Sequence, residues 1–129
     1  MANTVTTVYP INGSRHFTAK IDIVCDTAAE ISATTIIDVA NLTGTPTKFK
    51  VRNISWQLSN FYATLLWDAT TDVQALSLNQ YEGDLEFFEE TGAPLINNAG
   101  SGVTGKLLIT TKGVAIGSTG TIIIRGYHK

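Results

Sequence analysis

The chain reads as a single all-β domain: an antiparallel β-sandwich, or a jelly-roll or barrel-like fold, of about eight to ten short strands with an extended N-terminal arm. Three observations carry that expectation. Nineteen Thr, thirteen Ile and eight Val make almost a third of the 129 residues β-branched, and such side chains lose χ1 freedom in a helix but pack well on a pleated surface. Apolar residues recur with period two in short runs, the alternation of a half-buried strand. Turn-forming Gly, Pro, Asn and Asp separate those runs at intervals of roughly 8–15 residues, a spacing that suits sandwiches and barrels.

Taken in order, residues 1–13 read as the arm, with Val5, Val8 and Tyr9 ahead of Pro10 and the turn pair Asn12-Gly13. Residues 14–129 form the domain. Phe17, Ala19, Ile21 and Ile23 share one face of the next strand, opposite His16, Thr18, Lys20 and Asp22. Asp26 to Glu30 has the residues to cap a short helix, but the alternation that follows favours a turn. Ile31, Ala33, Thr35, Ile37 and Val39 then fall on one face, and 41–47 is a loop broken by Gly44 and Pro46. Phe49 and Val51 point one way while Ile54, Trp56 and Leu58 sit on the opposite parity, which predicts a β-bulge near Asn53. Ala63, Leu65 and Trp67 make another strand, Asp68 to Asp72 a polar turn, and Val73 to Leu78 a further strand. An acidic run spans 82–90, and a long loop rich in Gly and Asn spans 92–105. Lys106–Thr111 and Thr121–Tyr127 close the chain. Ile122, Ile123 and Ile124 are consecutive, so the last strand is covered on both faces, either centrally in a packed sandwich or by another chain.

Composition narrows the function. Net charge is −2 and charged residues are 16% of the chain, against about 25% in an average protein, so bulk electrostatics do not invite nucleic acid. No apolar run approaches the ~20 residues of a membrane span. Cys25 is the one cysteine, which excludes an internal disulfide and suits a reducing compartment. The N-terminus lacks the basic region and apolar stretch of a signal peptide, so the Asn-x-Ser/Thr triplets at Asn12, Asn41 and Asn53 carry little weight.

No catalytic, cofactor or metal constellation is legible. His16 falls on a polar strand face and His128 is penultimate, so both read as solvated. A catalytic thiol at Cys25 would need a nearby His. Asp68 and Asp72, with Thr70 and Thr71, offer oxygen ligands but lack the dense alternating acids of a calcium loop. Gly100 to Lys106 precedes a strand, so it has no helix dipole with which to cradle phosphate. Trp56 and Trp67 lie in phase with apolar neighbours and read as core rather than as a sugar platform. Glu82, Asp84, Glu86, Glu89 and Glu90 enclose Phe87 and Phe88, an apolar pair suited to a packed or interfacial loop. Lys48, Lys50 and Arg52 share parity as a basic face, and such patches on identical subunits can pair.

From Ile54 onward the chain resembles a family of short virion proteins of tailed bacteriophages. The carrying segments are Ile54-Ser55-Trp56-Gln57-Leu58, Leu65 to Asp72, Leu95 to Gly100 with Thr104 to Thr111, and Gly120 to Arg125. Lys106 departs from the acid often found in such proteins after the glycine at the position of Gly105. The resemblance implies a β-rich capsid decoration protein on the virion exterior, made in the host cytoplasm, trimeric, and cementing the assembled major capsid protein. The candidate contact residues are Val5, Val8 and Tyr9 in the arm, Lys48, Lys50 and Arg52, Phe87 and Phe88, and Ile123 and Arg125. The competing reading is a carbohydrate- or receptor-binding β module, which needs Trp56, Trp67, Tyr62 and Tyr81 exposed. A small cupin-like enzyme is disfavoured by the shortage of His.

Overall fold

A computed structural model describes residues 3–78, 81–87 and 92–128. Nine strands are present among them: β1 (Thr4–Asn12), β2 (His16–Val24), β3 (Thr34–Ile37), β4 (Lys50–Leu58), β5 (Tyr62–Trp67), β6 (Val73–Leu78), β7 (Glu82–Glu86), β8 (Leu107–Lys112) and β9 (Thr119–Tyr127). They form two antiparallel sheets packed as a sandwich, with strand orders β1-β2-β9-β4-β7 and β3-β8-β5-β6. The sheets remain separate, so among the expected alternatives the fold is the sandwich and not a closed barrel.

Period-two alternation decides what is buried. Phe17, Ala19, Ile21 and Ile23 from β2, Ile122 and Ile124 from β9, and Ile54 and Leu58 from β4 face Ala63, Leu65, Trp67, Leu107 and Ile109 of the second sheet. Each fully buried Ile, Leu or Phe contributes about 1.5–3 kcal/mol relative to exposure. The aromatic members meet edge to face, Phe17 with Phe49 at 5.3 Å and Phe49 with Trp67 at 5.4 Å between ring centroids, the geometry that ring quadrupoles favour.

The parity change in β4 is a bulge. Its register against β9 shifts between Val51 and Asn53, so Arg52 and Asn53 both leave on the outer face while Val51 and Ile54 stay inside. The run from Ile31 to Val39 differs from the expected uniform strand. β3 is only four residues long, its register shifts between Thr35 and Ile37, and Ala33 has a φ of 43°, a left-handed conformation that breaks alternation. Ile36 and Ile37 are consequently both buried, whereas Ala33 and Thr35 are exposed. Asp26 to Ala28 bends without forming a helix, and a short 3-10 turn at Val39–Asn41 is capped by Asp38, whose side chain accepts from Ala40 N.

The segment expected as an arm is β1. It pairs antiparallel with β2 from Thr4 to Val8 and again, after a shift, at Ile11 and Asn12. Side chains pin both ends. Asn3 Oδ1 accepts from Thr27 N at 3.0 Å, and Asn12 Oδ1 accepts from Thr43 N at 2.9 Å. Tyr9 is half-buried, which together with nearby Asp38 pushes its phenol up against the opposing hydrogen bonds from Asp38 and Asn41.

Candidate interface on the five-stranded sheet

One face of the five-stranded sheet packs on the core, and the other carries five of the ten expected contact residues, Val8, Lys50, Arg52, Ile123 and Arg125. Registers set its side chains in rows across the strands. Val8, Lys20, Ile123, Ser55 and Asp84 form one row. Thr6, Asp22, Thr121, Gln57 and Glu82 form the next. In the other direction come Thr18, Arg125, Asn53 and Glu86, then His16, Tyr127 and Lys50.

The charges on this face are graded along β9. Toward the C-terminal end of β9 lie Lys50, Arg52 and Arg125 with the single acid Glu86. The row of Ile123 carries Lys20 and Asp84, and the row of Thr121 carries Asp22 and Glu82, with Lys20 Nζ 3.4 Å from Asp22 Oδ2. The face thus grades from net positive to net negative. Thr121 and Tyr127 mark the two ends, about 20 Å apart for six residues of strand at roughly 3.3 Å each. Ile123 sits between, half-exposed in the centre of the face. Its neighbours Ile122 and Ile124 are buried, so the two-sided isoleucine run is explained by the central position of β9, with only Ile123 turned outward.

A hydrogen-bond network holds the cationic end in place. Asn53 is only 8% exposed. Its Nδ2 donates to Asp84 Oδ1 at 2.9 Å and to Leu85 O at 3.1 Å, and its Oδ1 accepts from Arg125 Nη1 at 2.8 Å. Ser55 Oγ also reaches Asp84 at 3.3 Å. Arg52 Nε stands 3.7 Å from Glu86 Oε1, an ion pair too long for a hydrogen bond and, at the surface, worth little. Of the basic and acidic runs, Arg52 and Glu86 stand together within one chain, because β4 and β7 are neighbours. Sequence reading missed Asn53 as the hub. The signal available was a polar residue at the bulge, where the chain turns two successive side chains outward.

The remaining candidates lie elsewhere. Val5 and Tyr9 turn inward and pack against the core, and Phe87 is buried in it; the acid-flanked aromatic is core, since the end of β7 turns it under the sheet. Phe88, Glu89 and Glu90 lie outside the described residues. Lys48 is exposed just before β4. Lys50 Nζ stands 5.7 Å from the centroid of the Tyr127 ring, and Val8 is 47% exposed.

The other sites considered have structural partners. Asp72 Oδ1 accepts from Ala69 N, and Asp68 Oδ2 accepts from Thr104 Oγ1 at 2.7 Å. Thr70 N donates to Ser101 O, so the polar turn and the Gly-rich loop hold each other. Gly102, at φ +76°, has no room for a Cβ beside Thr70. Cys25 is buried, which raises its thiol pKa, with Glu30 and Asp26 adding to the effect; a nucleophilic thiolate needs the opposite direction. His16 is exposed, but His128 is half-buried, its ring stacked 6.4 Å from that of Phe17, so it is not the freely solvated residue expected. Trp56 and Trp67 are 8% and 0% exposed. Tyr62 and Tyr81 are exposed, but Tyr62 belongs to the four-stranded sheet and Tyr81 leads into β7. Among the described residues, no three His, Cys, Asp or Glu side chains come together as a metal-binding group. The chain matches no protein-family model, no curated protein and no solved structure.

Proposed function

We propose that this chain is a structural protein of a tailed-bacteriophage virion that decorates the capsid exterior and stabilises the shell by adhesion to the assembled major capsid protein. The observation that supports it best is the outer face of the five-stranded sheet. It is broad, its net charge grades from positive, where Lys50, Arg52 and Arg125 outnumber Glu86, to negative at Asp22 and Glu82, and Ile123 lies at its centre with Val8 at the edge of the same row. A charge-graded face orients a partner and speeds encounter, and a central apolar residue ringed by polar ones is the usual anatomy of a protein contact. Because Asn53 holds Arg125 and Asp84 in place, little side-chain freedom is lost on docking. The resemblance of the segments from Ile54 to Arg125 supplies the identity of the partner. The carbohydrate-binding reading needs both Trp rings on the surface, and their burial counts against it.

The test is co-sedimentation of purified protein with empty expanded capsids of a tailed phage, for the wild type and for Ile123→Asp. Binding by the wild type and at least a tenfold weaker affinity for the variant, which leaves the core untouched, is the expected result. Absence of wild-type co-sedimentation overturns the proposal.

A further inference from the structure

The four sheet edges of the sandwich differ in how they are protected. β7 carries Glu82, Asp84 and Glu86, and charge on an edge deters pairing with another chain. β3 has four residues and a broken register. β6 shifts register against β5 between Leu65 and Leu66. β1 has none of these protections over Thr4–Val8. Its register with β2 is regular there and shifts only beyond Val8, ahead of Pro10, and no charged residue occurs between Asn3 and Ser14. Beyond the ladder with β2, no backbone–backbone hydrogen bond joins Thr4–Val8 to another described segment, although the hydroxyl of the inward-facing Thr7 donates to Ile36 O of β3 at 2.6 Å.

We infer that β1 is a self-association edge, pairing antiparallel with β1 of a second copy about a two-fold axis at Thr6. The occupant follows from the sequence of the edge itself. Centred on Thr6, the pairing sets Thr6 opposite Thr6, Val5 opposite Thr7, and Thr4 opposite Val8. Every pair is β-branched and uncharged, the kind that stabilises adjacent strands, and each joins residues of like parity, so inner side chains meet inner and outer meet outer. A neutral edge paired with itself opposes no like charges. On β7, by contrast, Asp84 and Glu86 are engaged by Asn53, Ser55 and Arg52 of their own chain, and Glu82 would meet like charge. Two five-stranded sheets then join into one continuous sheet, with both charge-graded faces on the same side. The inference stands independently of the proposed capsid partner.

Cysteine cross-linking tests both the contact and its register. Thr6→Cys places two thiols across the axis at the separation of directly opposed strand residues, within disulfide reach. Thr4→Cys leaves its two thiols about 13 Å apart, four residues at roughly 3.3 Å each, too far to bridge. Mild oxidation should convert most of Thr6→Cys to a covalent dimer and leave Thr4→Cys and the wild type, whose Cys25 is buried, as single chains. Light scattering should give a dimer mass for the wild type and a monomer mass for Thr6→Lys, with the same far-ultraviolet circular dichroism for both. A wild-type monomer or trimer, or equal cross-linking at Thr4 and Thr6, overturns the inference, since a two-fold edge contact closes at two copies. Capsid binding scored separately shows which of the two proposals has failed.

Discussion

Replacing Asn53 by Ala tests whether the outer-face network fastens the edge of the five-stranded sheet. The side chain makes three hydrogen bonds, to Asp84, Leu85 and Arg125, at 2.8–3.1 Å. Each such bond is worth about 0.5–1.5 kcal/mol net. The truncation leaves the Leu85 carbonyl without this donor, but Arg125 and Asp84 regain water, so the sum falls toward the middle of the range, about 2–3 kcal/mol. For a domain of this size roughly 4 °C of Tm accompanies each kcal/mol, so the melting point should fall by about 8–12 °C. Urea unfolding followed by tryptophan fluorescence measures the loss directly, at unchanged m if the native fold persists. A double-mutant cycle with Arg125→Ala should return a coupling of about 1 kcal/mol between the two residues. A loss below about 0.5 kcal/mol, the size of an ordinary surface substitution, would refute the claim that Asn53 fastens β7 and β9 to β4.

Gly83→Ala brings a Cβ against the Trp56 ring, 2.7 Å from Cε2 and Cη2; thermal melts should show a loss of about 1–3 kcal/mol as the indole is forced from its place. Glu30 accepts from Thr111 Oγ1, Gly113 N and Val114 N. Burial alone would raise its carboxyl pKa, but these donors and nearby Lys112 hold it below the ordinary value of 4.5. A depressed folded pKa means that its contribution is fully present above that value and is lost as pH falls through the lower folded one. Stability curves of wild type and Glu30→Gln should therefore be separated at neutral pH by about 0.5 kcal/mol, solvent screening of the exposed carboxylate cutting the worth of its hydrogen bonds, and converge in acid below that value; a constant gap would show that the carboxylate charge is not involved.

What could be read in advance was local. The bulge at Arg52–Asn53 shows as a parity change within six residues, and burial of Phe17 to Ile23 follows from unbroken alternation. Trp56 and Trp67 are in phase with their neighbours and are core for that reason. What could not be read depends on distant partners. Asn53 owes its role to residues 31 and 72 positions away in the chain. Glu30 closes a turn more than 80 residues later, and nothing around it announces a partner. Phe87 looked interfacial among acids because the sequence does not say that β7 ends there and turns the ring inward. Ala33 is a non-glycine residue in a left-handed conformation, so the break it introduces has no glycine to signal it. The outer-face rows likewise emerge only once strand order is known, since Val8 and Ile123 share a row only through Lys20 of β2.

The place of β9 also governs how the molecule is made. Its ladder partners are β2 on one side and β4 on the other, strands separated from it by about a hundred and about seventy residues of chain. During synthesis both are complete long before the strand that joins them, and each presents an unpaired edge while it waits. Pairings of such long sequence separation are slow to form, and edges left open in the interval are where chains mispair and aggregate. Zipping of Ile122 and Ile124 between β2 and β4 is thus a late, committing step of assembly, and the yield of soluble protein depends on how quickly it follows release of that strand.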